Sequence, residues 1–130
     1  GDLNRLDQTI KKLGTDVIQL TGEDGLAFEF NKRGGVGIIS VTANIAPKIC
    51  SDFQKFSTSK IEEEKKEAER LDKKLQPIHS SLFLESNPCP VKYAAKLLNL
   101  CEDDVRLPLV KVSEPTKEII KKSLVSANLL

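Results

Sequence analysis

The apolar positions near the start of the chain have helical spacing, and a β-branched run follows them. Leucine and isoleucine side chains recur on one helical face between Leu3 and Leu13, which predicts an amphipathic helix. Asp2 is placed to cap the N-terminus of this helix and Gly14 to end it. The apolar run at residues 17–20 then predicts a short strand.

A second helix and a second strand follow in the same order. Residues 25–32 have helical spacing and end at Gly34 and Gly35, which predicts a short helix. Residues 36–41 are largely apolar on both faces, as in strands of a parallel sheet covered by helices. Pro47 suits the first turn of a third helix. This order predicts a parallel α/β fold, but two strands leave both sheet edges bare, so we expect part of a larger sheet.

The second half of the chain is predicted to be helical. Residues 60–75 form a charged helix with glutamates first and lysines last, as the helix dipole favours, and Pro77 either kinks this helix or ends it. Further helices are predicted over 91–100 and from Ser113 onward. The charged stretch is either an interaction tail or, as we favour, a solvated face above the apolar positions Ile61, Ala68, Leu71 and Leu75.

Charge and composition exclude several classes of partner. The chain has 130 residues, with 20 basic and 19 acidic side chains, so nothing in its overall charge favours nucleic acid or an anionic membrane. Five Phe, one Tyr and no Trp make a base-stacking surface a poor interpretation. The sequence shows neither a membrane-spanning apolar run nor a signal peptide, and we expect a cytoplasmic protein.

The cysteines favour neither a disulfide framework nor a metal site. Cys50, Cys89 and Cys101 are odd in number and widely spaced, which is typical of reduced, mostly buried thiols in a cytosolic protein. A zinc site would need further ligands, yet His79 is the only histidine. We therefore expect neither a metal nor a cofactor.

The glycines before and within the second strand do not form a phosphate-binding loop. Such a loop follows a strand and opens a helix, whereas Gly34, Gly35 and Gly37 precede or lie within the predicted strand. A helix C-cap and one close packing contact inside the sheet explain them better.

The ends of the two predicted strands are the places where chemistry is expected, because ligands bind at the C-terminal ends of parallel strands. Glu23 and Asp24 follow the first strand and fit either an acid/base pair or, as we favour, an N-cap with a first-turn charge. Ser40 and Thr42 follow the second strand with no candidate base beside them, since His79 lies in the later helical region. A Ser-His-Asp triad is not expected.

Beyond these patterns, the sequence resembles one enzyme family along nearly its whole length. The resemblance to the 4-hydroxy-tetrahydrodipicolinate synthase (dihydrodipicolinate synthase) family, within the Schiff-base class I aldolases and the N-acetylneuraminate lyase superfamily, rests on LTGEDGLAFEFNKRGGVGIISVTANIAPK, LFLESNPCPVKYAAKLLNL, VRLPLV and ANLL. It implies the last two β/α units of a TIM (β/α)8 barrel over 1–59, then a C-terminal helical domain over 60–130. As an isolated chain, the protein is expected to be mostly α-helical.

The resemblance implies a lyase reaction in lysine and diaminopimelate biosynthesis. In this family a barrel lysine forms a Schiff base with pyruvate, and the enamine attacks aspartate semialdehyde. That lysine lies in a K-E-A-T-G segment ending the sixth strand, and Gly1-Asp2-Leu3 resembles the continuation of that segment. The lysine and the relay tyrosine fall in earlier segments, so this chain alone is expected to lack catalytic residues and to be inactive.

Two positions match substrate-binding positions of the family. Ile39 matches the position that lines the pyruvate pocket from the last strand, and Gly22 matches the glycine at the end of the preceding strand. Glu23 stands where the family more usually has Asp. Pyruvate and aspartate semialdehyde are therefore expected to bind only within a complete barrel. The expected protein partners are further copies of the chain, as in the family's tetramer, or a complementing N-terminal half.

Two other functions remain compatible with the residues. The chain could be a structural fragment, either half of a split enzyme or a self-associating remnant that hides its bare strand edges. It could also be a small-molecule binder, although two strands make a poor concave pocket.

Overall fold

A computed structural model describes residues 2–130, and helices make up most of that part of the chain. The elements, in order, are α1 (Leu3–Leu13), β1 (Leu20–Thr21), α2 (Ala27–Lys32), β2 (Gly37–Ile38), α3 (Pro47–Ser57), α4 (Glu62–Ser81), α5 (Cys89–Leu97) and α6 (Glu114–Ser126). Two 3₁₀ turns, Asp24–Leu26 and Thr42–Asn44, follow the two strands. The predicted place of Gly1 directly after a lysine motif lies outside the described residues.

The chain packs as two compact units. One unit comprises the chain up to Ser40 together with Ile49–Asp72, and the other comprises Val41–Lys48 together with Lys73–Leu130. The domain boundary expected between residues 59 and 60 stays a prediction.

The first helix forms where the apolar spacing and its caps predict it. The Asp2 carboxylate accepts a hydrogen bond of 2.9 Å from the backbone N–H of Asn4. At the other end, Gly14 adopts a φ of +75°, and its N–H donates to the Ile10 carbonyl at 2.8 Å. Both helix ends are thus satisfied by the residues that predicted them.

The two strands pair in parallel, as the sequence predicts, but both are shorter than expected. Leu20 lies opposite Gly37, and Thr21 lies opposite Ile38. The first predicted strand, residues 17–20, shares only Leu20 with β1, and the predicted 36–41 shrinks to Gly37–Ile38. Each strand has one neighbour among the described residues, and single backbone hydrogen bonds from Val36 to Gln19 and from Ile39 to Thr21 continue the pairing at both ends.

The glycines between α2 and β2 have the roles predicted for them. Gly34 ends α2 with a φ of +102°, and a Cβ at Gly35 would overlap the Phe30 ring. A Cβ at Gly37 would lie 2.9 Å from the Leu20 side chain. Gly34 thus marks a helix end, and Gly35 and Gly37 allow Phe30 and Leu20 to pack closely against the backbone. These three glycines do not form a phosphate-binding loop.

The helical part of the second unit buries a stripe from α4, α5 and α6. Pro77 does not end α4, which continues to Ser81. Ile61, predicted on the apolar face of this helix, is exposed, and Phe83, which follows the helix, is exposed as well. The buried side chains of this unit include Leu75, Ile78, Leu82, Val91, Ala94, Ile120 and Leu124.

The later helices follow their sequence patterns closely. α5 begins at Cys89, slightly before the predicted 91, and ends at Leu97. Ser113 is the N-cap of α6, with Pro115 in the first turn, as Pro at early helical positions predicts. Across residues 2–130, no helix combines the length and the apolar character that a membrane crossing requires.

Candidate functional site

The ends of the two strands meet at one edge of the sheet. The backbone N–H of Ile39 donates to the Thr21 carbonyl at 2.8 Å, which continues the ladder one residue past β2. Gly22 follows Thr21 directly and is exposed, and the Ile39 side chain is 72% exposed. The two residues predicted to line a substrate pocket therefore lie on adjacent strand ends. Their role in binding stays a prediction.

A groove borders this edge at Gly22. It has a volume of about 480 Å³ and is lined in part by Leu6, Gly22 and Phe30, while Ile39 is not among its lining residues. A cavity of this size suits a small molecule.

The loop after β1 is held by the side chain of Thr21. The hydroxyl oxygen of Thr21 accepts a hydrogen bond from the backbone N–H of Glu23 at 3.1 Å. Glu23 occupies the N-cap of the 3₁₀ turn, but its side chain makes no capping hydrogen bond, and Asp24 lies in the first turn. The N-cap position is as predicted, whereas the side-chain cap is absent.

Asp24 links the two strand ends. Its side chain is only 2% exposed, and its Oδ1 accepts a short hydrogen bond from the Ser40 hydroxyl. Because Ser40 directly follows Ile39, this bond joins the loop after β1 to the residue after β2. The expectation that Ser40 has no candidate base beside it was wrong: parallel pairing brings a carboxylate from the preceding strand end to the serine.

Cys50 packs against this pair and is not a reactive thiol. Burial raises the pKa of the Cys50 thiol to about 11, and the negative charge of Asp24 adds to the increase, while a hydrogen bond with Ser40 opposes it. The thiol is therefore protonated near neutral pH and is a poor nucleophile. Cys89 is buried and Cys101 is exposed, and all three cysteines are free, so the expectation of mostly buried thiols fails at Cys101.

Thr42 also has a partner that the sequence analysis did not foresee. Its Oγ1 lies 2.7 Å from Nδ1 of His79, although the expectation was that the histidine would be remote. Thr42 is 0% exposed and His79 is 6% exposed, so no substrate reaches this hydroxyl. The pair ties the turn Thr42–Asn44 to α4 and has a structural role.

The second unit contains one cluster of ionised side chains. Asp103 accepts hydrogen bonds from Lys96 Nζ at 2.8 Å and from Lys111 Nζ at 2.9 Å. These contacts lower the pKa of the Asp103 carboxyl to about 2. Such a cluster holds the segment after α5 in place. Among residues 2–130, no group of three or more His, Cys, Asp or Glu side chains could hold a metal ion.

Together, these features define a parallel α/β protein with open strand ends and a helical C-terminal part. The sequence profile of the Dihydrodipicolinate synthetase family matches residues 1–127. The chain belongs to this family.

Curated relatives agree with this assignment. The chain is 71% identical over 130 residues to the 4-hydroxy-tetrahydrodipicolinate synthase of Pelagibacter ubique (strain HTCC1062), covering 100% of this chain and 44% of that protein. It is 45% identical over 129 residues to the enzyme of the same name from Jannaschia sp. (strain CCS1), covering 99% of this chain and 43% of that protein. The chain thus spans less than half the length of these relatives.

Solved structures show the same fold over the matched part. A chloride-inhibited dihydrodipicolinate synthase from Acinetobacter baumannii, complexed with pyruvate, matches with a TM-score of 0.91 and 35% identity, covering 99% of this chain and 43% of that one. The dihydrodipicolinate synthase of Thermotoga maritima matches with a TM-score of 0.90 and 34% identity, covering 99% and 44%.

Proposed function

We propose that residues 1–130 form the C-terminal part of a cytoplasmic lyase that condenses pyruvate with aspartate semialdehyde through a lysine Schiff base. The product would be 4-hydroxy-tetrahydrodipicolinate, in lysine biosynthesis. One observation carries this proposal: two parallel strands end side by side with Gly22 and Ile39 uncovered, in a chain 71% identical to a synthase of that name. β1 and β2 are then the last two strands of a (β/α)8 barrel.

In this proposal Gly22 and Ile39 shape the pyruvate pocket and move no proton. A Cβ at Gly22 would meet nothing within 4 Å, so the glycine leaves space at the strand end. Ile39, at 72% exposed, offers an apolar surface that the remaining strands would cover. Neither residue carries a titratable group.

The Schiff-base lysine is proposed to come from outside these residues. A lysine nucleophile needs a lowered pKa, so that a neutral amine is available. Carboxylate contacts instead raise the pKa of Lys96, Lys111 and Lys117. These three lysines are therefore poor candidates for the nucleophile. Because the K-E-A-T-G segment that carries the family's lysine does not occur in residues 1–130, we infer that these residues alone are catalytically inactive.

The proposal is tested with a chimera of the Pelagibacter ubique synthase, in which this chain replaces the matching 44% of that protein. We expect it to consume pyruvate in a reaction that depends on aspartate semialdehyde. The matched control is the same construction with Ile39→Asp, which places a charge on the proposed apolar pocket wall and should abolish turnover. A folded chimera without turnover would overturn the proposal.

A second candidate, a purely structural half, is favoured by the bare sheet. Ile18, Leu20 and Val36 lie in or next to the strands and are 75%, 54% and 51% exposed. Neighbouring exposed apolar side chains are typical of a surface that another chain covers. Sedimentation of the chain with a separate N-terminal part should give a complex with restored activity if the chain is half of a split enzyme. Self-association of the chain without any restored activity would support the remnant instead.

A further inference from the structure

We propose that Asp24 and Ser40 form a positioning pair that fixes the pyruvate-binding edge of this protein. The inference rests on the function proposed above and assigns roles to two residues that lie beside, but not in, the proposed pocket wall. Each is close in sequence to one wall residue: Ser40 follows Ile39, and Asp24 comes two positions after Gly22.

The geometry limits the pair to an indirect role. The Asp24 side chain is 2% exposed, so its carboxylate does not reach a ligand at the open edge. It accepts the Ser40 hydroxyl proton in a short hydrogen bond, and bonds of hydroxyls to carboxylates are stronger than those between neutral groups. The bond therefore fixes one strand end relative to the other.

Two further hydrogen bonds complete the attachment of this edge. The N–H of Ile39 donates to the Thr21 carbonyl at 2.8 Å, and the Thr21 hydroxyl oxygen accepts the Glu23 N–H at 3.1 Å. Gly22 lies between Thr21 and Glu23 and has no side chain to anchor it. Its backbone position is consequently set by these neighbours and by the link from Asp24 to Ser40.

The surroundings of the pair support a fixed geometry. Cys50 on α3 is close enough for the charge of Asp24 to raise the pKa of its thiol and for Ser40 to hydrogen-bond it. The link is therefore packed against a helix as well as between two strand ends. Side chains held in this way keep one rotamer, which is what a binding edge requires from its support.

The test compares variants of the chimera by steady-state kinetics. Ser40→Ala removes the donor and is expected to raise the KM for pyruvate about tenfold, as for loss of one charge-assisted hydrogen bond, with a smaller change in kcat. Asp24→Asn keeps an accepting amide oxygen but loses the charge, and is expected to raise the KM by a smaller factor. Ser40→Thr keeps the hydroxyl and should restore the KM of the parent. Ser57→Ala is the matched control, since this buried serine of the same unit donates to the Gln54 carbonyl and should leave the KM unchanged.

The outcomes separate the two proposals. If the chimera is active and its pyruvate KM stays at the parent value in both Ser40→Ala and Asp24→Asn, the positioning pair alone is overturned. Where Ser40→Ala does not fold, the nearly isosteric Asp24→Asn decides the question. An equal rise of KM in Ser57→Ala would also overturn the positioning pair, because any lost buried hydrogen bond in this unit would then weaken pyruvate binding. A folded parent chimera without turnover would overturn the proposed function and this inference with it.

Discussion

At the residue scale, the glycines of the first unit differ in what a side chain would meet. A Cβ at Gly35 would overlap the Phe30 ring and lie 2.9 Å from the Phe30 carbonyl oxygen. A Cβ at Gly22 would meet nothing within 4 Å. The first glycine is thus required by packing, whereas the second leaves open space at the strand end.

We predict that Gly35→Ala destabilises the chimera, by roughly 1–3 kcal/mol for an overpacked core. Gly22→Ala should leave the melting temperature unchanged while weakening pyruvate binding, because its methyl group enters the proposed pocket. Thermal unfolding followed by circular dichroism, with pyruvate titration alongside, measures both. Equal melting temperatures for the two variants would contradict the packing assigned to Gly35.

A second residue-scale prediction concerns Asp103. Its pKa in the folded protein is lowered from 3.8 to about 2 by hydrogen bonds to Lys96 and Lys111. A carboxyl with a lowered folded-state pKa contributes stability above its unfolded pKa and loses it as the pH falls through the folded value. Asp103→Asn should therefore be less stable than the parent at neutral pH, with the difference vanishing as the pH falls from 3.8 to about 2.

Urea unfolding of the chimera across this pH range measures the difference. Asp104→Asn is the control, because the Asp104 side chain is 78% exposed and pairs only at the surface with Lys111; its effect at neutral pH should be smaller. A stability gap for Asp103→Asn that stays constant with pH would contradict the assignment.

At the element scale, α4 is the helix with a proline in its interior. It runs from Glu62 to Ser81 with Pro77 inside, where proline removes one backbone donor and crowds the carbonyl of the preceding turn. Buried leucines and isoleucines on either side of this position, Leu75, Ile78 and Leu82, are fully enclosed. Packing of that stripe holds the helix together across the proline.

We predict that Pro77→Ala stabilises the chimera by about 1–3 kcal/mol, since the lost helix bond is regained and only part of the gain is offset by a more flexible unfolded chain. Ser80→Ala, an exposed position on the same helix, should change the free energy of unfolding little. Denaturant unfolding decides the matter, and a lower stability of Pro77→Ala would show that the proline is accommodated without cost.

The elements also show where sequence patterns suffice. The caps of α1 and α6 are local, so Asp2, Gly14 and Ser113 predict the ends correctly. Strand lengths depend on neighbouring strands, which no local pattern describes, and both strands were predicted too long. The contacts of Ser40 with Asp24 and of Thr42 with His79 join residues 16 and 37 positions apart. They follow from tertiary packing, which explains why the sequence analysis missed them.

At the scale of the whole molecule, the chain belongs to the Dihydrodipicolinate synthetase family, and we propose that it contributes to the condensation of pyruvate with aspartate semialdehyde. The chain matches 44% of the length of its Pelagibacter ubique relative, and its two-stranded sheet has apolar residues uncovered. Both facts fit a part that completes a larger parallel sheet. The family-type tetramer also stays a prediction.

The central claim is that residues 1–130 supply pocket wall and helical support, while the nucleophile lies elsewhere. The most direct measurement is to treat the chimera with pyruvate and borohydride, digest it, and locate the reduced adduct by mass spectrometry. We predict an adduct on a lysine outside residues 1–130, with every peptide of this chain unmodified, and no adduct when the chain is treated alone. An adduct on any lysine within residues 1–130 would contradict the claim.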